Sequence, residues 1–362
     1  VYPYPMWDVL TNEKSDRSYQ MVYLENDYIK ISVLPQFGGR IFSALDKTNN
    51  YNFFYKQSVI KPALIGTLGA WISGGVEWNF PHHHRPTTLL PVDYWIEKNA
   101  DGSATLWTAD TERRHRMRLY LAITLHPDKS YVEVTIHPFN RSPLVHSFLY
   151  FANPAVHVDP TYQVIFPPDV EYVTQHAKRE FSEWPISFSR YGGQQYNGVD
   201  ISHWKNLPRP VSFFAWNPNS DYFAGYNHGQ EAGVAYVSNH HIAPGMKFFA
   251  WGNNEQNLMW DKTLTDTDGS YLELMAGAYS DNQPDYSWLQ PYEAKSVRQY
   301  WFPLRSMEGM KFANLNGALN LEVTGSLAKI RINTTSAYPG ARVSLRGPDG
   351  VVHEETIDVA PD

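Results

Sequence analysis

Apolar and polar residues alternate with a period of two through most of this chain. Ile29, Ile31 and Val33 are separated by polar or small residues. Met117, Leu119, Leu121, Ile123 and Leu125 alternate with Arg118, Tyr120, Ala122 and Thr124, and Val132, Val134 and Ile136 alternate with Glu133, Thr135 and His137. Successive side chains on a strand point to opposite faces, so each run predicts a strand with one buried face. Asp128-Lys129-Ser130 joins the last two as a hairpin, and Asn140-Arg141-Ser142-Pro143, Asp268-Gly269 and Pro348-Asp349-Gly350 mark further turns. No long segment keeps a helical period. The class is all-β, and consecutive antiparallel strands imply a sandwich.

The pattern changes near Arg305. Long aromatic strands end with Val297–Leu304, and smaller alternating stretches follow at Ala318–Val323, Ala328–Thr334 and Arg342–Arg346. This predicts two units: a large sandwich over 1–304, and over 305–362 a small immunoglobulin-like β module or the start of a following domain. The closing Asp358-Val359-Ala360-Pro361-Asp362 reads as the beginning of a linker in a longer natural chain.

Composition narrows the function. The 362 residues are 43% apolar, enough for a sizeable core. Net charge is −7, from 30 basic and 37 acidic residues without a long run of either sign, so there is no footprint for nucleic acid. There is no cysteine, which excludes disulfides and thiolate metal sites. No stretch approaches the ~18 apolar residues of a membrane span. A start at Val1 fits a secreted or periplasmic bacterial protein that has lost its signal peptide, and equally a trimmed chain.

The 12 Trp, 24 Tyr and 18 Phe change the picture more. Aromatic residues fill sheet cores. They also stack on the apolar face of a pyranose, whose polar rim then needs amides, imidazoles or carboxylates. Here they stand beside such groups, as in Trp78-Asn79, Trp216-Asn217, Tyr226-Asn227-His228 and Trp251-Gly252-Asn253. A neutral carbohydrate is the expected partner. With no Gly-rich phosphate loop, no Gly-x-Ser-x-Gly elbow and no HExxH, neither cofactor nor metal is expected.

Four segments concentrate chemistry. Gly74-Gly75-Val76-Glu77-Trp78-Asn79-Phe80-Pro81-His82-His83-His84-Arg85 offers a carboxylate, an amide and three imidazoles after two glycines that permit a bulge or close approach. Adjacent histidines on an extended chain point apart, so at most alternate members converge, and the spacing lacks a zinc pattern. His157 lies in the Ala152–Val158 run, where a lone imidazole fits a core position as well as a site. Phe223–Gly233, with His240 and His241, gathers Tyr226, Asn227 and His228 around glycines. In Tyr271-Leu272-Glu273-Leu274-Met275-Ala276-Gly277, Glu273 faces away from Leu272 and Leu274, towards solvent or a groove; Asp285 and Trp288 follow.

In order, the segment Leu34-Pro35-Gln36-Phe37-Gly38-Gly39-Arg40-Ile41, the Gly74–His84 segment, Val134–Ser142 running to His157, and Glu273 before Pro291-Tyr292-Glu293-Ala294 resemble the galactose-mutarotase-like (aldose 1-epimerase-like) superfamily. In detail the chain resembles the DUF5107 branch, whose members often carry tetratricopeptide repeats further along. The resemblance spans about 20–304. It implies a β-supersandwich with a sugar groove across one sheet, a base at Glu273 and an acid at His157. It also expects an earlier His among His82, His83 and His84, and an intervening Asp, for which Asp261 is the candidate. The usual Asn-Arg pair is not evident.

Glu77 is the departure that matters, because it adds a second carboxylate to the groove. A Glu77/Glu273 pair is the equipment of a glycoside hydrolase, with His157 beside it; this is the leading expectation. An aldose 1-epimerase using Glu273 and His157, and a non-catalytic glycan-binding module, are the alternatives. Expected sugar contacts are Arg40, Trp78, Asn79, His82, His84, Tyr226, His228, His241, Trp251, Asp285 and Trp288. The sugar, the linkage and the oligomeric state stay open.

Overall fold

The alternating runs form the strands they predict, arranged in two large antiparallel sheets. The computed structural model of the chain describes residues 2–7, 9–66, 69–279 and 286–361. An 11-stranded sheet runs in the order Val22–Glu25, Ile29–Leu34, Arg40–Asp46, Val76–Asn79, Tyr150–His157, Tyr271–Ala278, Gly245–Ala250, Val211–Ala215, Tyr172–Thr174 and Phe181–Glu183, with Tyr51–Phe54 also paired to Arg40–Asp46. An 8-stranded sheet runs from Tyr162–Ile165 through Tyr222–Asn227, Ala232–Val237, Val297–Arg305, Val132–Asn140, Met117–Leu125 and Ala104–Thr111 to Asp93–Lys98.

The core between the sheets is built from one side of each alternating strand. Met117, Leu119, Leu121 and Ile123 supply it from the smaller sheet; Val76, Trp78, Tyr150, Ala152, Val156, Leu272, Leu274, Met246 and Phe248 supply it from the larger. By the same period of two, Glu77, Asn153, Glu273 and Lys247 project from the opposite face of the larger sheet.

Two glycines make this possible where the Val76–Asn79 strand enters. Gly74 and Gly75 have φ of 86° and 60°, and a Cβ on Gly75 would collide with the Ile41 carbonyl. The strand then pairs Asn153 with Glu77 and Phe151 with Asn79.

Beyond Arg305 the chain forms a three-stranded sheet, Phe312–Asn314, Gly317–Thr324 and Leu327–Thr334, and the hairpin Tyr338–Gly347/Gly350–Val359. An apolar groove of about 550 Å³ lies between them. This part is fastened to the sandwich: Met307, Met310, Ala313 and Ala318 share a core with Tyr222, Tyr226, Phe302 and Leu304 on the outer face of the smaller sheet. Arg305 adds a half-buried ion pair, its Nε 2.6 Å from Oδ2 of the buried Asp46. No helix among the described residues is long and apolar enough to cross a membrane.

Candidate active site

Sheet register brings the chemistry together. Asn153 pairs with Glu77 on one side, and two residues along, Ala155 pairs with Glu273 on the other. Phe249 is the register partner of Glu273 on the next strand, and Lys247 lies two residues from Phe249. Glu77, Asn153, Glu273 and Lys247 therefore share one face across four adjacent strands. All four are buried, at 3%, 4%, 4% and 3% exposure. Two apolar clusters wall this strip: Tyr55, Trp71, Leu264 and Tyr271 with Trp251 and Trp260 at one end, and Leu149, Phe151, Phe214, Met275 and Tyr279 at the other.

Glu77 is held as a carboxylate. Its Oε2 accepts hydrogen bonds from Trp71 Nε1 at 3.0 Å and Asn79 Nδ2 at 3.3 Å, and lies 2.8 Å from His84 Nδ1. Burial opposes ionisation, but the His84 charge and hydrogen bond, with Arg40 and Trp71, overcome it and bring the carboxyl down to about 2.

His84 is the reciprocal case. Protein packed around the ring disfavours the cation, but Glu77 and Glu273 outweigh it and raise the pKa above the usual histidine value. The ring packs against Trp71 and Phe151, and 40% of the side chain reaches solvent. With Nδ1 turned to Glu77, Nε2 is the nitrogen left for a ligand.

Glu273 has the opposite environment to Glu77. Burial raises its carboxyl to about 7, a shift that His84, Lys247 and the Asn153 side chain partly offset and Glu77 reinforces. Lys247 is pulled down by the same burial, with Glu273 opposing. Its ammonium lies 3.2 Å from His176 Nε2 and over the Phe214 ring, and His176 Nδ1 meets Ser212 Oγ at 2.6 Å.

The turn through the histidine run explains their division of labour. His83 has φ of 50°, a left-handed backbone that breaks the extended alternation. His84 then reaches Glu77, while His82 turns to Ser147 Oγ at 3.1 Å and to the rings of His115 and Tyr286. His83 meets the Tyr286 hydroxyl at 3.3 Å.

Other expected contacts take supporting places. Arg40 is buried and donates to the carbonyls of Ile72 and Gly74 and to Thr88 Oγ1, bracing the loop before Glu77. Asn79 holds Glu77 and accepts from the Arg85 backbone N–H. His157 lies on the site face, paired in register with Tyr271, its ring 4.0 Å from that of Tyr55. Burial lowers it to about 4, which favours the neutral imidazole near pH 7. Trp251 belongs to the apolar wall, against Trp71 and Tyr271. Asp261 is bonded to Ser270 Oγ at 2.6 Å.

Six expected contacts stand elsewhere or outside the described residues. Trp78 is 1% exposed in the inter-sheet core, its Nε1 bonded to the Gly39 carbonyl, because it is one residue out of phase with Glu77. Tyr226 lies on the outer face of the smaller sheet, where its hydroxyl accepts from the backbone N–H groups of Met307 and Glu308. His228, nearby, is bonded to Gln163 and stacked on His203. The glycines that mark this segment serve packing: a Cβ on Gly225 would strike the Tyr162 hydroxyl. His241 is exposed against His240, itself held by Asp221. Trp288 is 57% exposed on the short Ser287–Leu289 strand. Asp285 lies outside the described residues. Sequence reasoning passed over Asn153 and Lys247; the signal for Lys247 was a lone cation in the apolar run Gly245–Ala250, opposite in phase to Met246 and Phe248.

Comparison with known proteins agrees with this architecture. The family model described as a domain of unknown function, DUF5107, matches residues 1–304, and the model of the second domain of YphG-like proteins matches 312–362. A tetratricopeptide-domain protein from Parabacteroides distasonis is 22% identical with a TM-score of 0.73, over 84% of this chain and 50% of that one, so this chain spans about half the length of that relative. A galactose mutarotase-like protein from Clostridium acetobutylicum gives 11% identity and a TM-score of 0.52, over 79% of this chain and 96% of that one. A galactose mutarotase related enzyme from Lactobacillus acidophilus gives 13% and 0.53, over 79% and 98%. The chain belongs to the DUF5107 family, built on the galactose-mutarotase-like fold.

Proposed function

We propose that this protein moves protons at the anomeric centre of a neutral sugar, in the manner of an aldose 1-epimerase, with Glu273 as base and His84 as acid. The observation that carries the reading is the contact between Glu77 and His84, 2.8 Å between Oε2 and Nδ1. A carboxylate that stays ionised holds the imidazole in one orientation and favours its protonated form, leaving Nε2–H to face a substrate. Glu273, near 7, takes the proton of the anomeric hydroxyl as carboxylate. His84 gives its proton to the ring oxygen as the bond from that oxygen to the anomeric carbon breaks. Rotation of the resulting aldehyde and the reverse transfers close the other anomer, with no net change in atoms. The fold shared with galactose mutarotase-like proteins supports the same chemistry.

A glycoside hydrolase is the second reading, favoured by the split between the two carboxyls. An ionised Glu77 and a protonatable Glu273 match the two roles of a glycosidase pair. It ranks second because Glu77 is tied by three donors on one oxygen, which suits an orienting group better than a nucleophile or general base.

The test is anomer exchange of D-glucose and D-galactose by NMR saturation transfer, run beside reducing-end release from a panel of neutral glycans. Exchange faster than the spontaneous rate, lost in Glu273→Gln and His84→Asn, is expected. Reducing-end release without exchange would put the hydrolase in its place, and sugar binding without either reaction would leave a glycan-binding module.

A further inference from the structure

Two buried oxygens at the centre of the site have no hydrogen-bond partner among the described residues. They are Glu77 Oε1 and Asn153 Oδ1. The residues are direct register partners, so their side chains leave the same face side by side, with Cβ atoms about 4.5–5.5 Å apart. Glu77 Oε2 already has three partners, and the Asn153 side chain sits between Glu77 and Glu273 on the same face. Buried acceptors in folded proteins nearly always have a donor, and an ionised oxygen without one is the costliest exception. A ligand with two neighbouring donors and no negative charge would match the pair. On a pyranose, that is a vicinal diol.

We infer that Glu77 Oε1 and Asn153 Oδ1 form a two-acceptor cradle for neighbouring hydroxyls of the substrate ring, and so decide which sugar the site accepts. The inference rests on the sugar reading proposed above and names the recognition device within it. A uronic acid presenting a carboxylate here would bring an acceptor, not a donor, and would face the Glu77 charge.

The experiment is calorimetry on residues 1–362 with D-glucose, D-galactose, D-mannose and their 2-, 3-, 4- and 6-deoxy analogues, for the unmodified protein and Asn153→Ala. Two adjacent deoxy positions should each weaken binding to the unmodified protein by about 10- to 100-fold. In Asn153→Ala one of those penalties should vanish while the other remains, which a general loss of structure would not produce. Asn153→Ser provides the same comparison if the alanine variant does not fold. Penalties identical in both proteins, with intact sugars still bound, would overturn the cradle and leave the sugar reading standing. Failure of the unmodified protein to bind any of the sugars would overturn both.

Discussion

Glu77 and Glu273 stand on the two strands that flank Asn153, on the same face and two residues out of step. Strand spacing and rise put their Cα atoms about 12 Å apart. Their environments nevertheless drive them in opposite directions, Glu77 to about 2 and Glu273 to about 7. The charge and hydrogen bond of His84, with Arg40 and Trp71, account for the first; burial, only partly offset, accounts for the second.

Replacing Glu77 by Gln should move the alkaline limb of the pH–rate profile. Glu77 is the leading charge that raises His84, so without it the imidazolium loses its proton at lower pH. The profile of kcat/KM for anomer exchange checks this, and an unmoved alkaline limb would remove His84 as the acid. The variant also loses stability. A carboxyl depressed in the folded state stabilises above its unfolded value of ~4.3, and that contribution disappears as pH falls through about 2. At pH 7 the loss should reach about 3 kcal/mol in urea unfolding.

The double variant Glu273→Gln, Lys247→Met should be inactive and more stable than the natural sequence by about 1–4 kcal/mol near pH 7, as replacement of buried ionisable groups by neutral ones allows. The sign follows from both groups. Glu273 is raised, so its contribution is intact below ~4.3 and lost as pH rises through about 7; Lys247 is depressed, so its penalty is full below about 7 and relieved towards ~10.4. The variant's advantage should therefore peak near neutrality. Unfolding free energies at pH 5, 7 and 9 measure it, and a flat difference would contradict the assignment.

Three tryptophans should separate cleanly. Trp78→Ala should cost about 3–5 kcal/mol of stability, as loss of a large core side chain does. Trp251→Ala should weaken sugar binding by about 1–3 kcal/mol through loss of an apolar wall. Trp288→Ala should change neither, since the ring is more than half exposed. Melting curves and calorimetry on the same preparations distinguish the three. Neutral-sugar affinity should also vary little between low and high salt, because no ion pair with the ligand is formed.

Tyr226→Phe should leave activity unchanged and loosen the C-terminal strands. Its hydroxyl satisfies two backbone N–H groups, at Met307 and Glu308, 3.0 and 3.1 Å away. Losing them should cost about 1–3 kcal/mol. Faster proteolysis between Arg305 and Phe312, with unaltered anomer exchange, is the expected readout; impaired sugar binding would return Tyr226 to the site.

Local pattern determined a good deal. A period of two is a property of the strand itself, so the alternating runs, the all-β class and the placing of Glu273 opposite to Leu272 and Leu274 were legible before any contact was known. The glycine pair before Glu77 was legible for the same reason, since a bulge is a local demand on the backbone. What the tertiary structure decided was which face of which sheet each residue joined. Trp78 and Glu77 are neighbours in sequence, yet one fills the core and the other forms the site. Tyr226 has the same aromatic-and-amide setting as Trp251, but its strand lies in the smaller sheet and its ring points outward to the C-terminal strands. The left-handed turn at His83 selected His84 from three adjacent histidines, a choice that no spacing rule contains. Asn153 and Lys247 became site residues only when register set them beside Glu77 and Glu273. Proton affinity likewise depends on burial and neighbouring charge, and those belong to the assembled sheet rather than to the chain.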